Sequence, residues 1–317
     1  MSNHRLIHAS MRTDVGLIRD HNEDYVICRE PTNAADAADN GWLYLVADGV
    51  GGADAGEVAS HYASEQMVQH YLRNYQQENW GQRLVDAMQA ANTDLRRLVA
   101  ERNDNSRMAT TMVAVAIDNH KASIANVGDS RGYLWRQGVL EQVTKDQSLV
   151  AKLVEEGAIT EEEAEKHPRR NVILYSLGSE RSPKIDLYER FLEPGDIILL
   201  CSDGLTRHVS DDELAEYLGH NDLDQISQTL VDLANNRGGQ DNISISLLQY
   251  LGEEGMQIAP KKDAAENNTI IGSTSRGAKT AVSPENPSST KNLWGFTLLL
   301  TVIQSVLILF LWAYLFA

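Results

Sequence analysis

Three strand-like apolar runs of this chain meet an aspartate at one end, and that pattern restricts the fold more than any other. Asp48 closes Trp42-Leu43-Tyr44-Leu45-Val46-Ala47 and precedes Gly49, and Asp203 closes Ile197-Ile198-Leu199-Leu200-Cys201-Ser202 and precedes Gly204. Asp241 lies in Gly238-Gly239-Gln240-Asp241-Asn242, directly before Ile243-Ser244-Ile245-Ser246-Leu247. Runs this apolar are buried, so they deliver carboxylates to the lip of a core, where a charge is costly unless something pairs with it. No Lys or Arg accompanies Asp48, and only Arg207 and Arg237 lie within a few residues of the other two. Three unpaired carboxylates gathered by folding make a site for a hard divalent cation with oxygen ligands.

A chain of 317 residues is long enough for two domains. Composition divides it differently. Residues 1–252 carry the periodic apolar runs of one globular unit. Residues 253–292 are rich in Asn, Ser, Thr, Ala and Pro, too polar to offset their ordering entropy, and are expected to form a flexible linker. Residues 293–317 are 25 uncharged positions dominated by Leu, Phe, Trp, Ile and Val. A bilayer core needs roughly 20 apolar residues in helix, so this stretch is expected to be a transmembrane helix. Lys261, Lys262, Arg276, Lys279 and Lys291 all precede it, which puts the globular unit on the cytoplasmic face. Met1-Ser2-Asn3-His4-Arg5-Leu6 has no apolar signal region. The net charge of −17 argues against nucleic acid as a partner. Cys28 and Cys201, both in apolar settings, fit a reducing compartment.

Strands are expected near Leu43–Asp48, Thr111–Ile117, Ala122–Val127, Gly132–Arg136, Asp196–Ser202 and Ile243–Tyr250, several joined by hairpin-length connections. Apolar spacing predicts consecutive helices over Gly56–Asn79 and Gln82–Arg102, and shorter ones over Asp211–Leu218 and Leu223–Asn235. Thr144-x-x-Gln147, Thr160-x-x-Glu163 and Ser210-x-x-Glu213 read as capping boxes. Runs of strands with paired helices imply an α+β fold with helices covering antiparallel sheets.

The ordered set Arg19…Asn22-Glu23-Asp24, Asp48-Gly49-x-Gly51-Gly52, Ala109-Thr110-Thr111, Gly128-Asp129-Ser130-Arg131, Ser202-Asp203-Gly204 and Asp241-Asn242 resembles the metal-dependent Ser/Thr protein phosphatases of type 2C in their bacterial form. The likeness covers nearly all of residues 5–250. It implies a four-layer α-β-β-α sandwich with two antiparallel sheets, and two Mg²⁺ or Mn²⁺ ions. By resemblance Asp48 bridges both ions, Asp203 and Asp241 hold one, and the Gly49 carbonyl and Glu23 serve the other. Asp24 and Asn242 support them from behind. Asp129 with Asp203 matches a third, weaker metal site, and Arg19 clamps the substrate phosphate. Two such cations lower the pKa of a bridging water and generate hydroxide at neutral pH, so no covalent enzyme intermediate is needed. The implied partners are phosphoprotein substrates and the Ser/Thr kinases that phosphorylate them, at the inner face of a bacterial membrane.

Two positions depart from the family. Val50 stands where some members carry a His that serves as general acid, and Ala109 stands where Gly is usual. Residues 148–171 resemble the family's helical flap, whose acidic run Glu161-Glu162-Glu163 reads as a solvated helix start. Two other readings compete. Cys201…Arg207 satisfies the Cys-x5-Arg spacing of cysteine phosphatases, although Leu200 replaces their His and Asp203 puts a carboxylate into a loop meant for a dianion. A tethered pseudophosphatase that binds phosphoproteins without turnover is the other, and it would be favoured by loss of a metal aspartate or of the phosphate Arg; none is lost.

Overall fold

The computed structural model describes residues 6–51, 55–102, 108–220, 222–252 and 270–271. The chain opens with strands β1 (Ile7–Asp14) and β2 (Asp24–Arg29), a short helix α1 (Ala34–Asn40) and the buried strand β3 (Trp42–Val50). Helices α2 (Ala55–Arg73) and α3 (Trp80–Arg102) follow. Next come β4 (Ala109–Thr110), β5 (Met112–Asp118), β6 (Lys121–Val127), β7 (Arg131–Arg136) and β8 (Val139–Gln142). Helices α4 (Leu149–Glu155) and α5 (Glu161–Glu165) lead to β9 (Asp186–Phe191) and β10 (Ile197–Cys201). The one-turn helix α6 (Asp203–Thr206), then α7 (Asp211–Leu218) and α8 (Leu223–Asn236), precede β11 (Ile243–Tyr250) and the two-residue β12 (Ile270–Ile271).

Two antiparallel sheets result. One has the order β1-β11-β10-β7-β8, and the other β12-β2-β3-β5-β6-β9 with β4 also on β3. Alternation along the central strands explains the layering. On β3, Trp42, Tyr44 and Val46 face the other sheet, meeting Ile198, Leu200 and Leu248. Leu43, Leu45 and Ala47 face outward onto Met67 and Tyr71 of α2 and Leu84 and Met88 of α3. On the opposite side Ile197, Leu199 and Cys201 of β10 pack under Leu214 of α7 and Ile226 and Leu230 of α8. Strands covered on both faces must be apolar at every position, which is why these read as continuous runs. Each Leu or Met so enclosed stabilises the fold by about 2 kcal/mol.

The order helix, sheet, sheet, helix is the one expected. The predicted strands and long helices are all present with shifted ends; the first two helices run Ala55–Arg73 and Trp80–Arg102. The Thr160 and Ser210 capping boxes form in full. The Thr144 box does not. Thr144 Oγ1 instead accepts from the Gly132 N–H at 2.9 Å, Gln147 Oε1 accepts from the Gly128 N–H at 2.9 Å, and the helix begins at Leu149 with Ser148 as its cap. Tertiary partners outcompeted a local pattern.

Strands β1, β2, β8 and β9 are additions that the apolar pattern did not announce. Within the expected linker, Ile270 and Ile271 pair with Ile27 and Val26 at the β2 edge. No helix among the described residues is long and apolar enough to cross a membrane. The span expected at 293–317 lies outside the described residues.

Candidate metal centre

The carboxylates converge because strand ends from both sheets meet at one place. Asp24 and Asp48 are register partners across β2 and β3, so their side chains leave the same face of the sheet. From the other sheet Ser202, between β10 and α6, donates through Oγ to Asp24 Oδ2 at 2.7 Å and accepts the Ser244 N–H at 3.0 Å. One hydroxyl thereby ties β2, β10 and β11 together. Asp203 is the first residue of α6, and Asp241 ends the loop that leads into β11.

Backbone contacts fix the loops that carry these groups. The Asp48 carbonyl accepts from the Thr111 N–H and from Thr110 Oγ1, both at 2.9 Å. Thr111 Oγ1 shares a 2.8 Å hydrogen bond with Ser130 Oγ, which couples β3 to the loop bearing Asp129. Asn242 is nearly fully buried. Its Oδ1 accepts the Glu23 N–H at 2.7 Å, and its Nδ2 donates to the carbonyls of Val15 and His21 at 2.9 Å each. The Gly49 N–H donates to the Glu23 carbonyl at 3.0 Å. A Cβ at Gly49 would lie 2.2 Å from the Gly56 carbonyl oxygen, so the backbone there leaves no room for a side chain, and one at Gly56 would lie 2.6 Å from Glu23 Oε1 and push that carboxylate aside.

Charge shows how strained the cluster is. Burial raises the Asp48 pKa well above the usual carboxylate range, and the carboxylates of Asp24, Asp203, Asp129 and Asp241 raise it further. Burial pushes Asp24 up to about 7 against hydrogen bonds from Ser202 and Ser244. It pushes Asp129 to about 7 as well, with Asp203 adding. Asp203 and Glu23 are raised by burial too, opposed by Arg207 and Arg19 respectively. Asp24 Oδ1 and Asp129 Oδ1 are buried with no hydrogen-bond partner.

The expectation that the strand-end aspartates stand unpaired is corrected for two of them. Arg207 bridges Asp203 and Asp241, donating to Asp241 Oδ2 at 2.9 Å and forming an ion pair with Asp203. Arg19, half exposed in the loop between β1 and β2, places Nη2 2.8 Å from Asp241 Oδ1 and Nη1 3.8 Å from Glu23 Oε2. The signal for Arg207 was its i+4 spacing from Asp203. Gly204 between them hid the helical turn that makes the spacing count. Arg237, the other basic residue near in sequence, pairs with Glu213 instead.

As the side chains stand, no three His, Cys, Asp or Glu groups among the described residues close on a single point. The donor chemistry nevertheless fits hard cations. Glu23, Asp24, Asp48, Asp129, Asp203 and Asp241 supply six carboxylates against two guanidiniums, Arg19 and Arg207. With all six ionised, the four charges left over equal those of two divalent cations. Neither His nor Cys belongs to the set, as suits Mg²⁺ or Mn²⁺.

The cysteine reading fails. Cys201 is fully buried beneath α6 and α7, and burial pushes its thiol up to about 12 against the opposing charge of Arg131, so no thiolate forms at neutral pH. The segment expected as a flap, which carries α4 and α5, is closed at its base by a bridge between Ser148 and Ile173, and Glu161, Glu162 and Glu163 are exposed.

Comparison with known proteins agrees with this geometry. The serine/threonine phosphatase stp of Listeria monocytogenes is 37% identical over 250 residues, covering 77% of this chain and 96% of that protein. The crystal structure of the Mycobacterium tuberculosis serine/threonine phosphatase PstP/Ppp superposes with a TM-score of 0.69 at 35% identity, covering 77% of this chain and 99% of that one. A structure of the PstP catalytic domain in complex with two manganese ions superposes at 0.65 with 34% identity, covering 77% and 98%. The family model for protein phosphatase 2C matches residues 20–247, and the chain belongs to that family of Ser/Thr phosphatases.

Proposed function

We propose that this chain removes phosphate from phosphoserine and phosphothreonine in proteins, using water activated at a centre of two Mg²⁺ or Mn²⁺ ions, and so opposes Ser/Thr kinases. The surplus of buried carboxylates carries the reading: Asp48 has four carboxylates raising its pKa and two strand-end oxygens nearby without partners. The manganese in the PstP structure supports the choice of metal. Asp48 would bridge the ions, Asp203 and Asp241 would hold one, and Glu23 and the Gly49 carbonyl would hold the other. Asp129 with Asp203 would form a third, weaker site. When bound, the cations supply hydroxide at neutral pH and offset charge on the phosphoryl oxygens.

The chain's own groups do the positioning. Arg19 is half exposed and reaches Asp241 from a loop, so its planar fork is free to turn to a phosphate. Asn242 holds the Glu23 backbone and the His21 carbonyl in place behind it. Val50 is exposed and has no proton to give to the leaving alkoxide. The uncharged residues 293–317 are proposed to anchor the enzyme in the bacterial inner membrane, near phosphoprotein substrates there.

The test is phosphate release from a phosphothreonine peptide. Turnover is expected with Mn²⁺, lost in EDTA and restored by added metal, and Asp241→Asn is expected to lower it by about 100-fold at limiting metal. Turnover indifferent to EDTA, or bound metal without turnover, would remove this reading.

A further inference from the structure

Asp241 is crowded by two guanidiniums. Its Oδ1 takes the Asn242 N–H at 3.0 Å and lies 2.8 Å from Arg19 Nη2; its Oδ2 lies 3.0 Å from the same Nη2 and 2.9 Å from Arg207 Nη1. An ionised carboxylate offers about four lone-pair sites, and three of them accept hydrogen bonds, two from guanidiniums. The Asn242 contact is fixed by the backbone and by the three side-chain bonds that lock that residue. A cation held by Asp241 therefore competes with these guanidiniums for the same carboxylate.

The two candidates differ. Arg19 is 46% exposed on a loop, whereas Arg207 is 29% exposed, rises from α6 and is bonded at its other nitrogen to Asp203. Its charge also acts on Asp129 and Asp48, so it faces four of the six carboxylates. We propose that Arg207 is a built-in competitor for the metal centre. Its guanidinium spans Asp203 and Asp241, holds the carboxylates together when metal is scarce, and must release them for a divalent cation to bind. The metal affinity of the site is thereby set by an internal cation, and occupancy follows free metal concentration. The proposal rests on reading Asp203 and Asp241 as metal ligands.

Calorimetric titration of the full chain with MnCl₂, beside its melting temperature in EDTA, tests it. Arg207→Ala is expected to bind Mn²⁺ about tenfold more tightly, since removing a nearby positive charge is worth on the order of one such factor. It is also expected to melt lower than wild type in EDTA, with the gap closing at saturating Mn²⁺. Arg207→Lys should fall between, because an ammonium keeps the charge but cannot fork across two carboxylates. Equal or weaker Mn²⁺ binding by folded Arg207→Ala overturns the proposal, and if that variant does not fold, unchanged affinity in Arg207→Lys overturns it instead. Asp241→Asn separates the two readings. Wild-type Mn²⁺ binding in Asp241→Asn would sink the ligand assignment itself, while loss there with no gain in Arg207→Ala would sink only the competitor.

Discussion

Gly128 shows how closely single atoms are set beside Asp129. It lies at φ +101°, and a Cβ there would stand 2.6 Å from both Cβ and Cγ2 of Thr111. Gly128→Ala meets conformational strain and a clash together, and is expected to destabilise the fold by about 2–3 kcal/mol in urea denaturation. Thr111→Val keeps the shape but removes the hydroxyl that bonds Ser130 Oγ and receives the Asp48 N–H at 3.3 Å. Leaving Ser130 buried without that partner is expected to cost about 1–3 kcal/mol. It should also lower turnover by loosening Asp48, and a variant equal to wild type in both respects would show that the link between the Thr pair and the Asp129 loop is idle. The aspartates and glycines were legible in the sequence because each interrupts an apolar run. Their partners were not: Ser202, Thr111 and Asn242 are ordinary polar residues until two sheets bring them within 3 Å of a carboxylate or its loop.

At the scale of elements, β3, β10 and β11 announced themselves because both faces are covered, while β9 alternates exposed and half-buried residues at a sheet edge and left no apolar trace. Helix starts were legible only where the cap faces solvent. The Ser210 box, which opens α7, forms with Arg237 bonding the outer edge of its Glu213, and Ser210→Ala is expected to cost about 1 kcal/mol. Its Glu213 is held down to about 2, first by the Arg237 hydrogen bonds and then by the Ser210 N–H. A folded pKa below the ordinary 4.5 means the stabilisation is complete above about 4.5 and disappears as pH falls towards 2. The melting-temperature gap between wild type and Glu213→Gln should be open at pH 7 and narrow across that window. A gap that is constant with pH would mean the carboxylate charge contributes nothing. Because the pair is exposed, the gap should also shrink in high salt.

For the whole molecule, the two sheets place loops from opposite ends of the sequence at one rim, so Glu23 and Asp241 meet through 219 residues of separation between Glu23 and its anchor Asn242. The groups proposed for the centre lie within residues 19–242, and residues 293–317 are proposed as the anchor. They hold 25 positions without a charge, preceded by Lys291 and four further basic residues. Moving such a segment from water into a bilayer is favourable by about 25 cal/mol per Å² of apolar surface, and the basic residues resist crossing. The full chain is expected to sediment with bacterial membranes, to stay there through high-salt and alkaline washes, and to leave only in detergent. A peripheral protein held by charge would be released by the salt wash, and a net charge of −17 gives this chain no overall attraction to anionic lipid. Deleting residues 293–317 should move the protein to the supernatant while leaving kcat on a soluble phosphopeptide unchanged. Protease added to right-side-out spheroplasts should spare the catalytic domain and degrade it only after lysis. If the full chain is found in the soluble fraction, the anchor is refuted while the phosphatase centre stands, because nothing in the geometry of Asp48, Asp203 and Asp241 depends on it.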